Sequence, residues 1–324
     1  MPREVLFHNP EGVDSSKAAY VFPGQGSQSV GMGSELYKSS KAAQDVFNKA
    51  DSALGFRLSR LILSGPDKEL KDTLNSQPAI MTVSIAAWKA YEESLGHEPP
   101  RPLLVAGHSL GEYTSMVVSD MLSFSDGIKL VRERGRLMQQ ASQERPGGMA
   151  AIIGLDELAL EDICAETGVE VGNINSDEQI VLTGDKRAVA HAMDLATARG
   201  ARKAIPLEVS GAFHSSLMHN AQKGLAEAVA AAHLRDPKIP IIANSNNLPL
   251  TTASQVGEEL VNGLSKCVRW RDSVRYMVGS GVTSFVEFGP SRVLNSLIKR
   301  IDPNVRVTTL SDPVSIRKMA EAAA

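Results

Sequence analysis

The stretch that most constrains this chain is residues 103–119, Leu-Leu-Val-Ala-Gly-His-Ser-Leu-Gly-Glu-Tyr-Thr-Ser-Met-Val-Val-Ser. Residues 103–106 have the length and apolar continuity of a parallel strand buried on both faces. Gly107 breaks the run, and from Leu110 onward the composition suits a helix. Between the two, Ser109 sits in the pattern Gly-x-Ser-x-Gly. A tight strand-to-helix turn lifts such a serine hydroxyl out of the sheet, and side chains at Gly107 and Gly111 would crowd it. The first helical amides point at whatever attaches to Ser109, and the helix dipole favours negative charge there. Ser109 is therefore the candidate nucleophile.

The rest of the chain must build a scaffold around that turn. With 324 residues it can bury a large core in one or two domains. A formal net charge of −3 argues against nucleic acid as the main partner. Cys164 and Cys267 lie far apart and match no metal or redox spacing. They read as reduced, buried thiols, which suits a cytoplasmic setting. No apolar run is long enough to cross a membrane. The first 17 residues read as a loosely held lead-in, whose acidic residues argue against a transit peptide.

Residues 18–22 predict a short strand, followed by Pro23 and the glycine-rich Gly24-Gln-Gly-Ser-Gln28. Dinucleotide and P-loop spacings are both absent. Gln25, between two glycines, is instead suited to present its amide to a neighbouring oxyanion. Helices are expected over 34–54 and 77–95, the second with Pro78 in its first turn. A further helix is expected from an N-cap at Ser125 to about residue 143. On that helix Arg134 does not follow its charge: it falls inside the apolar arc of Ile128, Leu130, Val131, Leu137 and Met138. A guanidinium on the core side needs a partner. Two roles are open on the residues alone: an ion pair with a core carboxylate, or a clamp for a ligand carboxylate.

After Pro146 the rhythm changes. Strands and helices are expected in the order β-α-β-β-α-β over 149–209, the split pattern of ferredoxin-like domains. Residues 146–210 therefore read as a small domain inserted into a larger one made of 1–145 and 211–324. Just beyond the insert lies Gly211-Ala-Phe-His-Ser215. Among seven histidines His214 is the best candidate for a base that takes the Ser109 proton, since His108 cannot easily reach round its own turn. The remainder returns to alternating strands and helices, so the large domain is expected to be a mostly parallel sheet with helices on both faces.

Four segments occur in one order: Val21-Phe-Pro-Gly-Gln-Gly-Ser-Gln-Ser-Val-Gly-Met-Gly33, Gly107-His-Ser-Leu-Gly-Glu-Tyr113, Gly211-Ala-Phe-His-Ser215 and Phe288-Gly-Pro290. Over roughly residues 18–310 the chain resembles the malonyl-CoA:acyl carrier protein transacylases of fatty-acid and polyketide synthesis. The resemblance implies an α/β-hydrolase-like core with an inserted ferredoxin-like subdomain. It implies Ser109 as nucleophile, His214 as base, and the amides of Gln25 and Leu110 as oxyanion hole. Arg134 would pair with the malonyl carboxylate, Gln77 would line the site, and Phe213 matches the malonyl-selective pattern. Malonyl-CoA would be substrate and phosphopantetheinylated acyl carrier protein the acceptor, with no permanently bound cofactor or metal. The expected reaction is a ping-pong transfer through a malonyl-serine ester. Its rivals are a discrete polyketide-synthase acyltransferase and a carrier-protein thioesterase.

Two segments depart from the family pattern. Gly263-Leu264 stands where the family often has Gln-Leu, whose carbonyl orients the histidine, and Gly289-Pro-Ser-Arg292 replaces Gly-Pro-Gly-Lys. Lys186, Arg187, Arg199, Arg202 and Lys203 give the insert a basic surface suited to an acidic carrier protein.

Overall fold

The computed structural model describes residues 14–323. Ten strands form two sheets. The larger sheet holds β1 (Ala18–Phe22), β2 (Leu104–Gly107), β7 (Ile241–Ile242), β8 (Pro249–Leu250), β9 (Ser284–Phe288) and β10 (Arg306–Leu310). Their spatial order is β10-β9-β1-β2-β7-β8, parallel throughout except for the β7–β8 edge pair. The smaller sheet holds β3 (Gly147–Ile153), β4 (Glu170–Ile174), β5 (Gln179–Asp185) and β6 (Lys203–Pro206) in the order β4-β5-β3-β6, all antiparallel.

Before the smaller sheet the chain forms α1 (Ser34–Ser39), α2 (Lys41–Leu54), α3 (Leu58–Ser64), α4 (Asp67–Lys71) and α5 (Thr73–Leu95). The helices α6 (Leu110–Val118) and α7 (Phe124–Glu144) follow β2. Two more, α8 (Glu157–Thr167) and α9 (Lys186–Ala198), belong to the smaller sheet. The chain then adds α10 (His219–Ala231), α11 (Ala253–Asn262), α12 (Trp270–Gly279), α13 (Val293–Ile301) and α14 (Pro313–Ala323).

Strand β1 shows why helices cover both faces of the large sheet. Ala18, Tyr20 and Phe22 point into one core and Ala19 and Val21 into another. A strand buried on both sides needs apolar residues at every position, which is what its sequence supplies. The small sheet behaves differently. Ala150 and Ile152 pack under α8 and α9, whereas Met149, Ala151 and Val181 join the core shared with the large sheet. The edge strand β4 is tied to the segment before α12, where Ile174 N–H donates to Val268 O and Val268 N–H donates to Gly172 O, both at 2.9 Å.

Several expected boundaries move, each for a local reason. The helix expected over 34–54 breaks at Ser40, whose extended backbone lets its side chain accept from Ala43 N–H and start α2. Ser123, not Ser125, caps α7 by accepting from Asp126 N–H. Helix α5 begins four residues earlier than expected, leaving Pro78 in its interior. Pro78 cannot donate to the Leu74 carbonyl one turn back, and Arg132 Nη1 takes that acceptor instead at 2.7 Å. The short α3 and α4 carry no signal that the sequence reading registered. Of the lead-in, residues 1–13 lie outside the described residues, and Asp14 caps a short 3-10 turn at Ser15–Lys17. Among the described residues no helix is long and apolar enough to cross a membrane.

Candidate active site

Strand register brings the site together. Phe22 lies opposite Gly107 on the parallel pair β1–β2, so the loops after these strands leave the sheet side by side. On the other flank Ala106 lies opposite Ile242, which sets the loop after β7 beside the same turn. Ser109 thus stands at the carboxyl end of the sheet between two neighbouring loops, the expected place for a ligand in an open parallel sheet.

The turn at Ser109 is tight. Its backbone has φ 51° and ψ −102°, outside the common regions for a residue with a side chain, which costs about 1–3 kcal/mol. The flanking glycines permit it. A Cβ on Gly107 would stand 1.8 Å from the Gly111 carbonyl carbon, and one on Gly111 would stand 1.9 Å from Phe22 O. Asn244 holds the strained turn from outside. Ser109 N–H donates to Asn244 Oδ1, and Asn244 Nδ2 donates to Gly107 O, both at 2.8 Å. Glu112 in turn accepts from Asn244 N–H at 3.1 Å. With the serine amide so engaged, the amides of Gln25 and Leu110 are the nearby donors without a protein acceptor among the described residues.

His214 reaches this turn from beyond the small sheet. Its backbone is also left-handed, at φ 58°. Nδ1 donates to Gly263 O at 2.9 Å and lies 3.1 Å from Lys266 O. Carbonyls only accept, so the proton sits on Nδ1 and Nε2 presents its lone pair. The Ser109 hydroxyl donates to that lone pair at 2.8 Å. Burial and then the nearby Arg134 charge push the imidazole pKa down to about 3, so it stands neutral and ready to accept a proton. The glycine at 263 therefore makes the orienting bond that the departure from Gln-Leu put in question, and Lys266 adds a second carbonyl.

Arg134 is only 4% exposed. Nη2 donates to Ser109 Oγ at 3.0 Å and Nη1 to Gln77 Oε1 at 2.6 Å, while Nε has no partner. Its guanidinium lies over the Tyr113 ring, 5.2 Å from the centroid. Among the described residues no carboxylate comes within 4.0 Å of it. The core ion pair that the sequence left open is not formed. A buried cation without a counter-ion is costly unless an anion arrives to meet it, and the planar fork suits a carboxylate.

All the expected residues except Gln77 line one cleft of about 160 Å³: Gln25, Ser109, Leu110, Arg134, Phe213 and His214. Gln77 is fully buried behind Arg134, and its Nε2 donates to Thr73 Oγ1 at 2.8 Å. Phe213 is buried, and its carbonyl accepts from Thr183 Oγ1 at 2.8 Å, tying the histidine loop to β5 of the small sheet.

Sequence reasoning missed the Asn244 clamp and the small-sheet wall. Asn244 follows the strand that pairs with β2, and a polar residue at that carboxyl end was the available signal. His108 does not serve Ser109: its Nε2 lies 2.8 Å from Asn175 Oδ1 and its ring rests against Trp270. Of the basic residues on the insert, Arg199 and Arg202 are paired with Glu166 and Glu178 at 2.6 and 2.7 Å.

The arrangement is an activated serine beside an unpaired cation in a small cleft, a geometry for acyl transfer of a carboxylate-bearing group. Comparisons with known proteins agree. The family profile described as "Acyl transferase domain" matches residues 19–310. The malonyl CoA-acyl carrier protein transacylase of Bacillus subtilis strain 168 is 42% identical over 306 residues, covering 93% of this chain and 95% of that protein. The Escherichia coli K12 protein of the same name is 38% identical, covering 94% and 98%. Among solved structures, an acyl-carrier-protein S-malonyltransferase from Bartonella henselae superposes with a TM-score of 0.91 at 37% identity, covering 94% of this chain and 99% of that one. A malonyl-transacylase solved in complex with a type II PKS acyl-carrier protein gives the same TM-score, identity and coverage. By profile, sequence and structure, the chain belongs to the acyl transferase domain family, among the malonyl CoA-acyl carrier protein transacylases.

Proposed function

We propose that this protein moves the malonyl group from malonyl-CoA to the phosphopantetheine thiol of acyl carrier protein, through an ester on Ser109. The observation that carries the reading is the Arg134 guanidinium, buried without a carboxylate partner among the described residues and 3.0 Å from the serine oxygen. In the first step His214 Nε2 takes the Ser109 proton as Oγ attacks the thioester carbonyl. The oxyanion is held by the amides of Gln25 and Leu110, the latter at the N-terminus of α6. The C–S bond breaks, and His214 returns the proton to the departing CoA sulfur. In the second step the carrier thiol gives its proton to His214, sulfur attacks the ester carbonyl, and Ser109 leaves with that proton.

Arg134 holds the free carboxylate through both steps. The backbone carbonyls on Nδ1 do the orienting that a carboxylate does in a Ser-His-Asp triad. Protein groups alone carry this route, with no resident cofactor. The cysteines fit a reducing cytoplasmic compartment: both are free thiols, half-buried rather than buried as expected, and desolvation pushes their pKa values up to about 11 and about 12.

Intact-mass spectrometry after mixing with malonyl-CoA tests the reading. A malonyl adduct on Ser109, stable in buffer and discharged by holo carrier protein, is expected. Rapid release of free malonate without a thiol would make the protein a thioesterase.

A further inference from the structure

A line of hydrogen bonds, buried at its arginine end and partly buried at the other, joins the guanidinium to the loop after β1. Arg134 Nη1 donates to Gln77 Oε1 at 2.6 Å, Gln77 Nε2 donates to Thr73 Oγ1 at 2.8 Å, and Thr73 Oγ1 donates to Gln25 Oε1 at 3.1 Å. The direction of the first two bonds follows from the guanidinium. A guanidinium has no acceptor, so Gln77 must turn its oxygen toward Arg134 and its nitrogen toward Thr73. The Thr73 hydroxyl accepts there and has its own proton left for Gln25. Thr73 is 1% exposed and Gln77 fully buried, so bulk water does not compete for the bond between them, while the bond to the half-buried Gln25 is partly shielded.

Both ends of this line matter to chemistry. Gln25 lies between Gly24 and Gly26, and Gly26 has φ 99°. A peptide flanked by glycines has wide conformational freedom unless something holds it. Ser27 Oγ donates to Gly24 O and Gln28 Oε1 accepts from Gly26 N–H, which closes the turn on itself. The Thr73 bond is what fastens residue 25 to the arginine side of the site. The frame is rigid as well: a Cβ on Gly135 would stand 2.9 Å from Thr73 O, so α7 and α5 touch backbone to backbone next to Arg134.

We infer that Thr73 is a positioning residue that ties the carboxylate clamp to the oxyanion loop. It touches no reacting atom. It fixes the Gln25 amide against the same framework that fixes Arg134, so the two ends of the acyl group are received at a set separation. The inference rests on the acyl-transfer reading of the site.

The test is single-turnover loading of Ser109 from malonyl-CoA and acetyl-CoA, followed by mass spectrometry. Thr73→Val keeps the shape and removes the hydroxyl. Its saturating rate should fall about 10- to 100-fold for both thioesters, toward the range seen for losing an oxyanion donor, with half-saturation almost unchanged. Thr73→Ser should restore the rate. Gln25→Met cuts the line at its other end while keeping the backbone amide; it should show the same fall, and the double variant should fall no further.

Wild-type rates in Thr73→Val would overturn the inference, as would a slow Thr73→Ser. A loss confined to malonyl would also overturn it, because the bond would then serve the clamp alone. If Thr73→Val does not fold, a wild-type rate in Gln25→Met overturns it. Wild-type protein that never loads Ser109 would instead bring down the acyl-transfer reading itself.

Discussion

The serine turn and the histidine loop solve the same problem in opposite ways. Each holds a residue with a side chain at positive φ, Ser109 at 51° and His214 at 58°. The shape of the serine turn is permitted by glycines of its own segment, with Asn244 bracing it from outside. Gly107 packs on Gly111 and Gly111 on the end of β1, at separations no Cβ could enter. The histidine loop is held from afar: by carbonyls of residues 263 and 266 after α11, and by Thr183 on the small sheet. A locally determined turn can be written in five residues. A loop fixed by distant acceptors cannot.

The strongest way to break the serine side is Gly111→Ala. The new methyl would meet Phe22 O at 1.9 Å, a backbone atom that cannot move aside. Destabilisation at or above the top of the ~1–3 kcal/mol range for overpacking is expected, read as a fall in Tm, together with loss of Ser109 loading. On the histidine side, His214→Ala leaves the fold in place but removes the proton acceptor. Loading should drop by about 10⁴- to 10⁶-fold in single-turnover assays, as for losing the base of a hydrolytic dyad or triad. A drop of less than tenfold would show that another group takes the proton.

Arg134→Ala probes the group shared by both regions. Malonyl loading should fall about 100-fold or more, the worth of a charge-assisted contact in a dry site, while acetyl loading falls far less. Equal losses would make the arginine a structural element. The same variant has a pH signature. Burial first, and Arg134 second, hold the His214 pKa at about 3. The base form is therefore present well below the usual histidine range, and the acid limb of loading set by this group lies far to the acid side. Removing the arginine charge should move that limb to higher pH. Linkage has the matching sign. The unfolded chain takes up a proton near pH 6.5 that the folded His214 refuses, so this group costs stability progressively as pH falls from about 6.5 toward 3. The smallest effect is expected from Thr183→Val, which removes one bond to the histidine loop, about 1 kcal/mol. A several-fold slower loading, with unchanged half-saturation, would measure how much the small sheet contributes to holding His214.

Much of the scaffold is legible in the sequence. The apolar run at β2 announced a strand buried on both faces, residues 18–22 announced a short strand, and the β-α-β-β-α-β order marked out the small sheet. Boundaries were less legible, because caps such as Ser40 and Ser123 compete with near neighbours of the same type. Pro78 inside α5 was not legible at all. Its tolerance depends on Arg132, 54 positions on, reaching the carbonyl that the proline leaves free.

The site divides along the same line. The chain alone determined that Ser109 is lifted on a strained turn, that Arg134 sits among apolar residues, and that His214 opens the return from the small sheet. Those are local properties, set by steric exclusion at glycine and by helical periodicity. Only the tertiary structure decided that Arg134 finds no carboxylate among the described residues and points at the serine oxygen, that two carbonyls choose the histidine tautomer, and that Asn244 occupies the serine amide. Each of these is a hydrogen bond or a missing counter-ion between segments far apart in sequence. Such partners are chosen by how strands pair and helices pack, and no short stretch of the chain carries that information.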